Sequence, residues 1–309
     1  MKKGNNKTFK LLDEYLNYLL VIRGRSSNTT REYKIDIIMF MEFLIREKES
    51  KIEVKDIGIE FIRDITLTDM YSFISYCQTG KNACAGTRAR KIVSIRQFWR
   101  YLSGRAHLLD KNIAEELETP KVPKRLPKYL TLEQSIRLLL EAEKNSRDKC
   151  IITIFLNCAL RLSELVSLNV EQINDETISV IGKGNKERKI FLTPSTKKAI
   201  LDWMEERNKI KVDTNALFTS RLKKRMTPRA VEDVVKKYLE LAGLDTKKYS
   251  VHKLRHTAAT LMFQYGKADI RSLQEILGHE SISTTEIYTH VSTEQLERAV
   301  NSNPLATMF

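Results

Sequence analysis

Cysteine is scarce in this chain and lies in no recognisable pattern. Cys77, Cys84, Cys150 and Cys158 form no CxxC pair, and none has a histidine at zinc spacing. Cys150 and Cys158 sit in or beside the apolar run 150–158, the usual setting of inert core thiols in a reducing compartment. Long hydrophobic runs are missing too: no stretch approaches the ~20 apolar residues a bilayer span needs. Met1-Lys2-Lys3-Gly4-Asn5-Asn6 leads into no apolar core of the signal type. These absences predict a cytoplasmic protein without membrane insertion. No HExxH or EF-hand pattern occurs, and the carboxylates do not cluster as a two-metal site requires. Gly182-Lys183-Gly184 lacks the Gly-Lys-Ser/Thr ending of a phosphate-binding loop and enters a strand rather than a helix. No metal and no cofactor is expected. Internal repeats and low-complexity tracts are absent as well.

What is abundant is positive charge. Fifty-three Lys and Arg against 39 Asp and Glu give a formal net charge of +14 over 309 residues. That balance suits a polyanionic partner, either nucleic acid or a membrane surface. With 42% hydrophobic residues the chain can build ordinary cores, and its length suggests two domains.

The first part reads as helices. Phe9, Leu12, Tyr15, Leu16, Leu19 and Leu20 recur at helical spacing, as do Tyr33, Ile37, Phe40, Met41 and Leu44. Thr29-Thr30-Arg31-Glu32 has the capping-box pattern that would open the second helix. A third helix is expected over 68–77 and a fourth over 87–102. The apolar stripe of the fourth is Ile92, Ile95, Phe98, Trp99 and Leu102. Its other face would carry Arg88, Arg90, Lys91, Arg96 and Arg100, either as a solvated surface or as contacts to a phosphate backbone. Residues 118–128 hold three of the six prolines and four bases, so they read as an extended basic linker. The domains expected are therefore 1–117, helical, and 129–309, mixed.

In the second domain Thr131-Leu132-Glu133-Gln134 caps a helix. Another should run over 151–168, with Arg161 and Glu164 on one face. Strands over 177–181 and 188–192 flank a Gly/Asn turn, the signal of a hairpin. Helices follow from Pro194, from Thr227-Pro228, over 251–264 and over 270–277. Gly278 should stop the last of these, and Ser283-Thr284-Thr285-Glu286 should cap a short helix presenting Tyr288. The fold class expected is mainly α with a small β-hairpin in the C-terminal domain.

One constellation carries chemistry. His252 lies one helical turn before Arg255, His279 follows 24 residues later, and Tyr288 nine after that. Each residue alone would be unremarkable: an Arg–Glu pair is usually a surface ion pair, and a lone tyrosine is usually packing. Together, a phenol, two arginines, histidines and a lysine suit phosphoryl transfer without a metal, the hydroxyl attacking while cations hold the charge growing on phosphate oxygens. His256 and His290 fall off the faces of Arg255 and Tyr288 and read as structural.

Leu160-Arg161-Leu162-Ser163-Glu164-Leu165, Ile181-Gly182-Lys183-Gly184-Asn185-Lys186-Glu187-Arg188, His252-Lys253-Leu254-Arg255-His256, and Leu277-Gly278-His279 through Ile287-Tyr288-Thr289-His290 resemble the motifs of the tyrosine recombinase (phage integrase) family, most closely its bacterial Xer branch. The resemblance covers the whole second domain; the first resembles the family's core-binding domain in length and helix count. One departure is Cys158-Ala159, where the branch often has small residues including glycine. The resemblance implies a site-specific recombinase that cuts and rejoins double-stranded DNA without ATP. Tyr288 would form a 3′-phosphotyrosyl link, and Arg161 and Arg255 would clamp the phosphate. Glu164 would orient Arg161. Lys183, rather than Lys186, would be the general acid, leaving Lys186 as a DNA contact. His252 would be the base, and His279 a phosphate-binding partner. A homo- or hetero-tetramer on two DNA sites is implied, with a segment capped by Ser292 and bearing Leu296, Ala299 and Val300 docking on a neighbour. A DNA translocase is a candidate activator. Core-binding helices starting near residue 8 leave no room for an arm-site domain, which favours dimer resolution over an integrase of a mobile element. A type IB topoisomerase and a binding-only regulator are the remoter alternatives.

Overall fold

The computed structural model describes residues 8–122, 128–182, 186–266, 268–279, 281–285 and 288. The chain divides into two compact units, 1–124 and 125–309.

The first unit is helical among its described residues. Helix α1 (Lys10–Asn17) runs on through a π-helical turn at 18–22, and α2 (Ser27–Glu47) follows after the non-helical residues 23–26. Then come α3 (Ile59–Arg63), α4 (Leu67–Thr79) and α5 (Ala85–Gly104). The N-cap of α2 is Ser26, whose hydroxyl accepts from the Thr29 N–H at 3.2 Å. The helix thus starts one turn earlier than its Thr-Thr-Arg-Glu pattern suggests, because the Ser-Ser pair upstream offers the same capping chemistry. Thr66 and Asp69 make a reciprocal capping box for α4. The core is aromatic: Phe40, Phe73, Phe98 and Trp99 are essentially fully buried. Each contributes roughly 1.5–3 kcal/mol by leaving water.

The basic face expected on α5 is not uniformly exposed. The Lys91 side chain is only 7% exposed, and its ammonium bonds the buried Asp36 carboxylate at 2.8 Å. Arg90 shares that carboxylate at 2.5 Å and reaches Glu32 at 3.4 Å. Lys91 therefore stands in the interior rather than on the surface, because α2 brings an acid opposite it. Arg88 donates to the Ala83 carbonyl, Arg96 to the Leu117 carbonyl, and Arg100 pairs loosely with Glu115.

The second unit is built around α7 (Ser146–Cys158), apolar on nearly all sides and packed against α6 (Leu132–Glu141), α9 (Pro194–Asn208), α10 (Pro228–Leu241) and α11 (Val251–Tyr265). The Thr131–Gln134 capping box forms as the sequence indicates. The helix expected over 151–168 is broken, however. Ala159 turns left-handed at φ 51°, Leu160 is buried, and a separate helix α8 (Leu162–Ser167) begins after an extended Arg161. Arg225 closes the far end of α8 by donating to the Val166 and Leu168 carbonyls at 2.8 and 3.0 Å. Strands β1 (Thr177–Ile181) and β2 (Glu187–Phe191) form the antiparallel hairpin, with Val180 opposite Arg188 and Ile178 opposite Ile190. Helix α12 (Ile270–Leu277) ends at a left-handed Gly278, φ 60°. A 3₁₀ turn at Ile282–Thr284 leads towards Tyr288.

Candidate active site

The broken helix explains how Arg161 comes to be useful. Had 151–168 been continuous, Arg161 would be one side chain on a helix flank. Instead it occupies the elbow before α8, where Glu164 in the first turn accepts its backbone N–H at 2.8 Å. The other oxygen of Glu164 accepts from the Arg161 guanidinium at 2.7 Å. This carboxylate is the centre of the site. Arg188 grips it bidentately at 2.8 and 2.9 Å, and Arg255 stands 3.7 Å away. Burial alone would raise the pKa of Glu164. The hydrogen bonds and charge of Arg188 and Arg161 overcome that and hold its carboxyl at about 2.

The same guanidiniums close helix ends. Arg161 donates to the Gly278 carbonyl at 2.8 Å, and Arg188 to Ile276 at 3.0 Å. Arg255 donates to Ala159 at 2.6 Å and to Leu277 at 2.5 Å. Unpaired carbonyls at the C-termini of α7 and α12 thus act as acceptors for cations, as the helix dipole favours. Arg255 is 3% exposed; burial and the charge of Arg161 lower it to about 10, so it remains charged at neutral pH. Three guanidiniums surround one carboxylate. The surplus is two positive charges in a partly desolvated place, and the Arg161 side chain, 33% exposed, gives access to them.

Two histidines and the phenol complete the site. His279 follows the Gly278 turn, and its Nδ1 meets the Thr285 hydroxyl at 3.0 Å. Burial, then Arg255, Arg161 and Arg188, push it down to about 4, so it is neutral at pH 7. Tyr288 is 4% exposed among Ala159, Ala258, Ala259, Leu273 and Leu277, and burial lifts its hydroxyl to about 12 against the pull of Arg255. Its hydroxyl lies 2.6 Å from His256 Nδ1. This corrects the sequence expectation on two counts. His256 does share a face with Tyr288, and the histidine in contact with the phenol is His256 rather than His252. The reason is helical: residues 252, 256 and 259 form one stripe of α11, and the Tyr288 ring lies over its middle member at 5.5 Å. His252, exposed on the same stripe, meets the His256 ring edge-on at 4.6 Å.

A groove of about 1060 Å³ opens beside the cluster, bordered by Arg161, Lys186, Arg188, Phe191 and His279. Lys186 sits at the base of the hairpin, with its carbonyl accepting from the Gly182 N–H at 2.8 Å. Lys183 lies outside the described residues, as do His290 and the segment bearing Leu296, Ala299 and Val300. Of the residues the sequence singled out, Arg161, Glu164, Arg255, His279, Tyr288 and His252 converge here. Arg88, Arg90, Lys91, Arg96 and Arg100 belong to the first unit.

Sequence reasoning passed over Arg188 and Thr285. Arg188 carried a signal: it alternates with Ile190, so both must face inward along β2. Nothing local marks Thr285.

Two family profiles match the chain: "Phage integrase family" over residues 128–295 and "Phage integrase, N-terminal SAM-like domain" over 12–105. Tyrosine recombinase XerC of Caldanaerobacter subterraneus subsp. tengcongensis is 45% identical over 307 residues, covering 96% of this chain and 87% of that protein. Tyrosine recombinase XerD of Proteus mirabilis is 33% identical over 301 residues, covering 93% and 90%. Among solved structures, XerH bound to a palindromic difH substrate in a post-cleavage complex superposes with TM-score 0.72 at 22% identity, covering 97% and 90% of the two chains. A lambda integrase dimer bound to a COC′ core site superposes with TM-score 0.68 at 17% identity, covering 89% and 95%. At such identities these two speak for the fold alone. The chain belongs to the phage integrase family of site-specific tyrosine recombinases, in its Xer branch.

Proposed function

We propose that this chain cuts and rejoins double-stranded DNA through a phosphodiester attacked by Tyr288, and that its biological task is resolving chromosome or plasmid dimers at division. The observation that carries the reading is the surplus of guanidinium charge around Glu164, packed beside a buried phenol. A phosphate diester is the ligand whose charge and oxygen geometry such a cluster fits.

Arg161, the most exposed of the three guanidiniums, meets a non-bridging oxygen, and Arg255 supports the second as negative charge builds in the transition state. Glu164 and Arg188 fix both in place and keep the cluster from collapsing under its own repulsion. His279 is neutral, and in the tautomer whose Nδ1 accepts the Thr285 hydroxyl its Nε2 carries the hydrogen. That tautomer is a donor to a phosphate oxygen. The Tyr288 oxygen bonds to phosphorus, the 5′-oxygen leaves, and Lys183 supplies its proton. Energy stays in the 3′-phosphotyrosyl ester, so a 5′-hydroxyl from another strand can reverse the step and exchange partners. Two copies of the chain, or a copy and a paralogue, would act on each DNA site, giving a tetramer on two sites in the cytoplasm. A DNA translocase would time the reaction. Lys186 and the exposed arginines of α5 would contact phosphates.

The test begins with Tyr288→Phe protein, used to footprint its site on the host chromosome. A duplex carrying that site, nicked so that a short fragment diffuses away after cleavage, should give a covalent adduct resistant to detergent with the parent protein. Tyr288→Phe should give none while binding equally well. An adduct with Tyr288→Phe sinks the assignment.

A further inference from the structure

Helix α12 has only eight residues, too few to hold its own shape in water, so its end is fixed by what grips it. Leu273 and Leu277 are its buried side chains. Beyond them, three consecutive carbonyls at its C-terminus, those of Ile276, Leu277 and Gly278, accept one guanidinium each, from Arg188, Arg255 and Arg161. Arg161 and Arg255 form the phosphate clamp of the proposed reaction, and Arg188 is left to act on the helix end. We propose that Arg188 is a positioning residue for cleavage: it holds the last turn of α12, and through that turn the His279 side chain, in place against the Glu164 cluster. The inference rests on His279 meeting a phosphate oxygen.

The path from Arg188 to His279 is continuous. Arg188 faces inward from β2, as Ile190 does two residues on, and its side chain is 14% exposed. Nη1 and Nη2 donate to the two Glu164 oxygens at 2.8 and 2.9 Å, while Nε donates to the Ile276 carbonyl at 3.0 Å. A planar fork spans both directions at once; an ammonium on a flexible stem does not. Gly278 closes over this guanidinium so tightly that a Cβ there would lie 3.1 Å from Nη1. His279 then follows the turn. Its N–H donates to the Gln274 carbonyl at 3.1 Å, across the left-handed Gly278, and its own carbonyl accepts from the Gln274 amide at 3.0 Å. Moving the last turn of α12 therefore moves His279. A shift of about 1 Å at a group touching the reacting phosphate costs on the order of 10²-fold in rate.

A double-mutant cycle on the nicked duplex tests this, read as the single-turnover rate of adduct formation at saturating protein. His279→Ala should lose about 10²–10³-fold, the worth of one donor to a developing charge. Arg188→Lys keeps a cation beside Glu164 but cannot also reach Ile276, and should lose about 10²-fold. The double variant should be at most about twofold slower than His279→Ala, because both changes remove the same interaction. Gel-shift affinity of Arg188→Lys, and its salt dependence, should match the parent. In free protein with isotope-labelled histidines, the His279 ring signals, assigned by their loss in His279→Ala, should shift in Arg188→Lys while those of His107 in the first unit stay. Arg188→Gln, whose amide can still bond one Glu164 oxygen, repeats the cycle should the lysine variant melt below the assay temperature.

Losses that multiply in the double variant, or parent rates in the Arg188 variants, would overturn the proposal. So would weaker binding with a shallower salt dependence, which would put Arg188 on a phosphate itself. Parent rates in His279→Ala would instead defeat the phosphate-binding role of His279, and the proposal with it. The cycle tells that failure apart, because there the single histidine variant is already fast.

Discussion

Each unit of this protein buries a carboxylate among cations, and the two clusters differ in arithmetic. In the first, Asp36 accepts from Arg90, Lys91 and Ser94, and Glu32 stands by Arg90. Two bases meet two acids, and side chains satisfy side chains. In the second, Glu164 alone faces Arg161, Arg188 and Arg255, and backbone carbonyls at helix ends take the remaining donors. Carbonyls hold guanidiniums in position without cancelling their charge. A balanced cluster ties α2 to α5; an unbalanced one, with a groove beside it, is built for an anion. Burial and hydrogen bonding look alike in both, so the count of charges is what separates structure from site.

The sharpest way to break that distinction is to remove each acid. Glu164→Gln leaves three guanidiniums uncompensated and should destabilise the second unit by about 3–5 kcal/mol, as should Asp36→Asn the first. Sulfate should restore much of the loss in Glu164→Gln, visible as a rise in Tm over a chloride control of equal ionic strength. It should do little for Asp36→Asn. Equal rescue would mean that the clusters are alike. Arg255→Lys attacks the site from the other side. A lysine cannot span the Ala159 and Leu277 carbonyls, so cleavage should fall about 10²–10³-fold while gel-shift affinity changes much less.

Acid should also separate the units. His256 and His279 sit near 4, so the unfolded chain binds their protons first, and stability is lost as pH falls from 6.5 towards 4. Glu164, held near 2, adds its own loss only once pH drops below its ordinary 4.5. In the first unit, burial opposes the shift of Asp69, but the Thr66 N–H and Lys48 win and lower it from 3.8; that contribution is lost only below 3.8. Between pH 6.5 and 4.5, hydrogen-exchange protection, taken relative to the slower intrinsic exchange at lower pH, should therefore fall in α11 and α12 while α2 and α5 keep theirs. A uniform fall would show that the histidines are not the cause.

Much of this was legible beforehand, because local signals and tertiary outcome agree. The Thr131–Gln134 box, the hairpin around Gly182, and α12 from Ile270 to Leu277 all form where their residues indicate. Arg161, Glu164, Arg255 and His279 converge because they sit at or near helix ends. What escaped depends on contacts distant in sequence. Lys91 is buried because Asp36, 55 residues earlier, needs it. His256 acquires Tyr288 through the path of a loop 32 residues on. The break between α7 and α8 escaped because its left-handed residue is an alanine, with no glycine or proline to announce it.

That alanine gives the finest probe of the comparison, since only the second cluster relies on backbone carbonyls at left-handed turns. Ala159 and Gly278 both adopt positive φ, and the carbonyls of Ala159, Leu277 and Gly278 each receive a guanidinium. Gly278→Ala would place its methyl 3.1–3.3 Å from the Arg188 guanidinium and Cδ, besides the left-handed penalty of about 1–2 kcal/mol. It should cost stability and cleavage together. Ala159→Gly relieves the same left-handed penalty, about 1–2 kcal/mol, but frees the unfolded chain at a cost of about 0.4–1 kcal/mol and removes a fully buried methyl worth about 0.8 kcal/mol. These should nearly cancel, leaving Tm within a few degrees of the parent. Since the carbonyl keeps its direction, cleavage should be unchanged. If Ala159→Gly instead lost activity at unaltered Tm, the Ala159 methyl against Tyr288 would matter more than the carbonyl it orients.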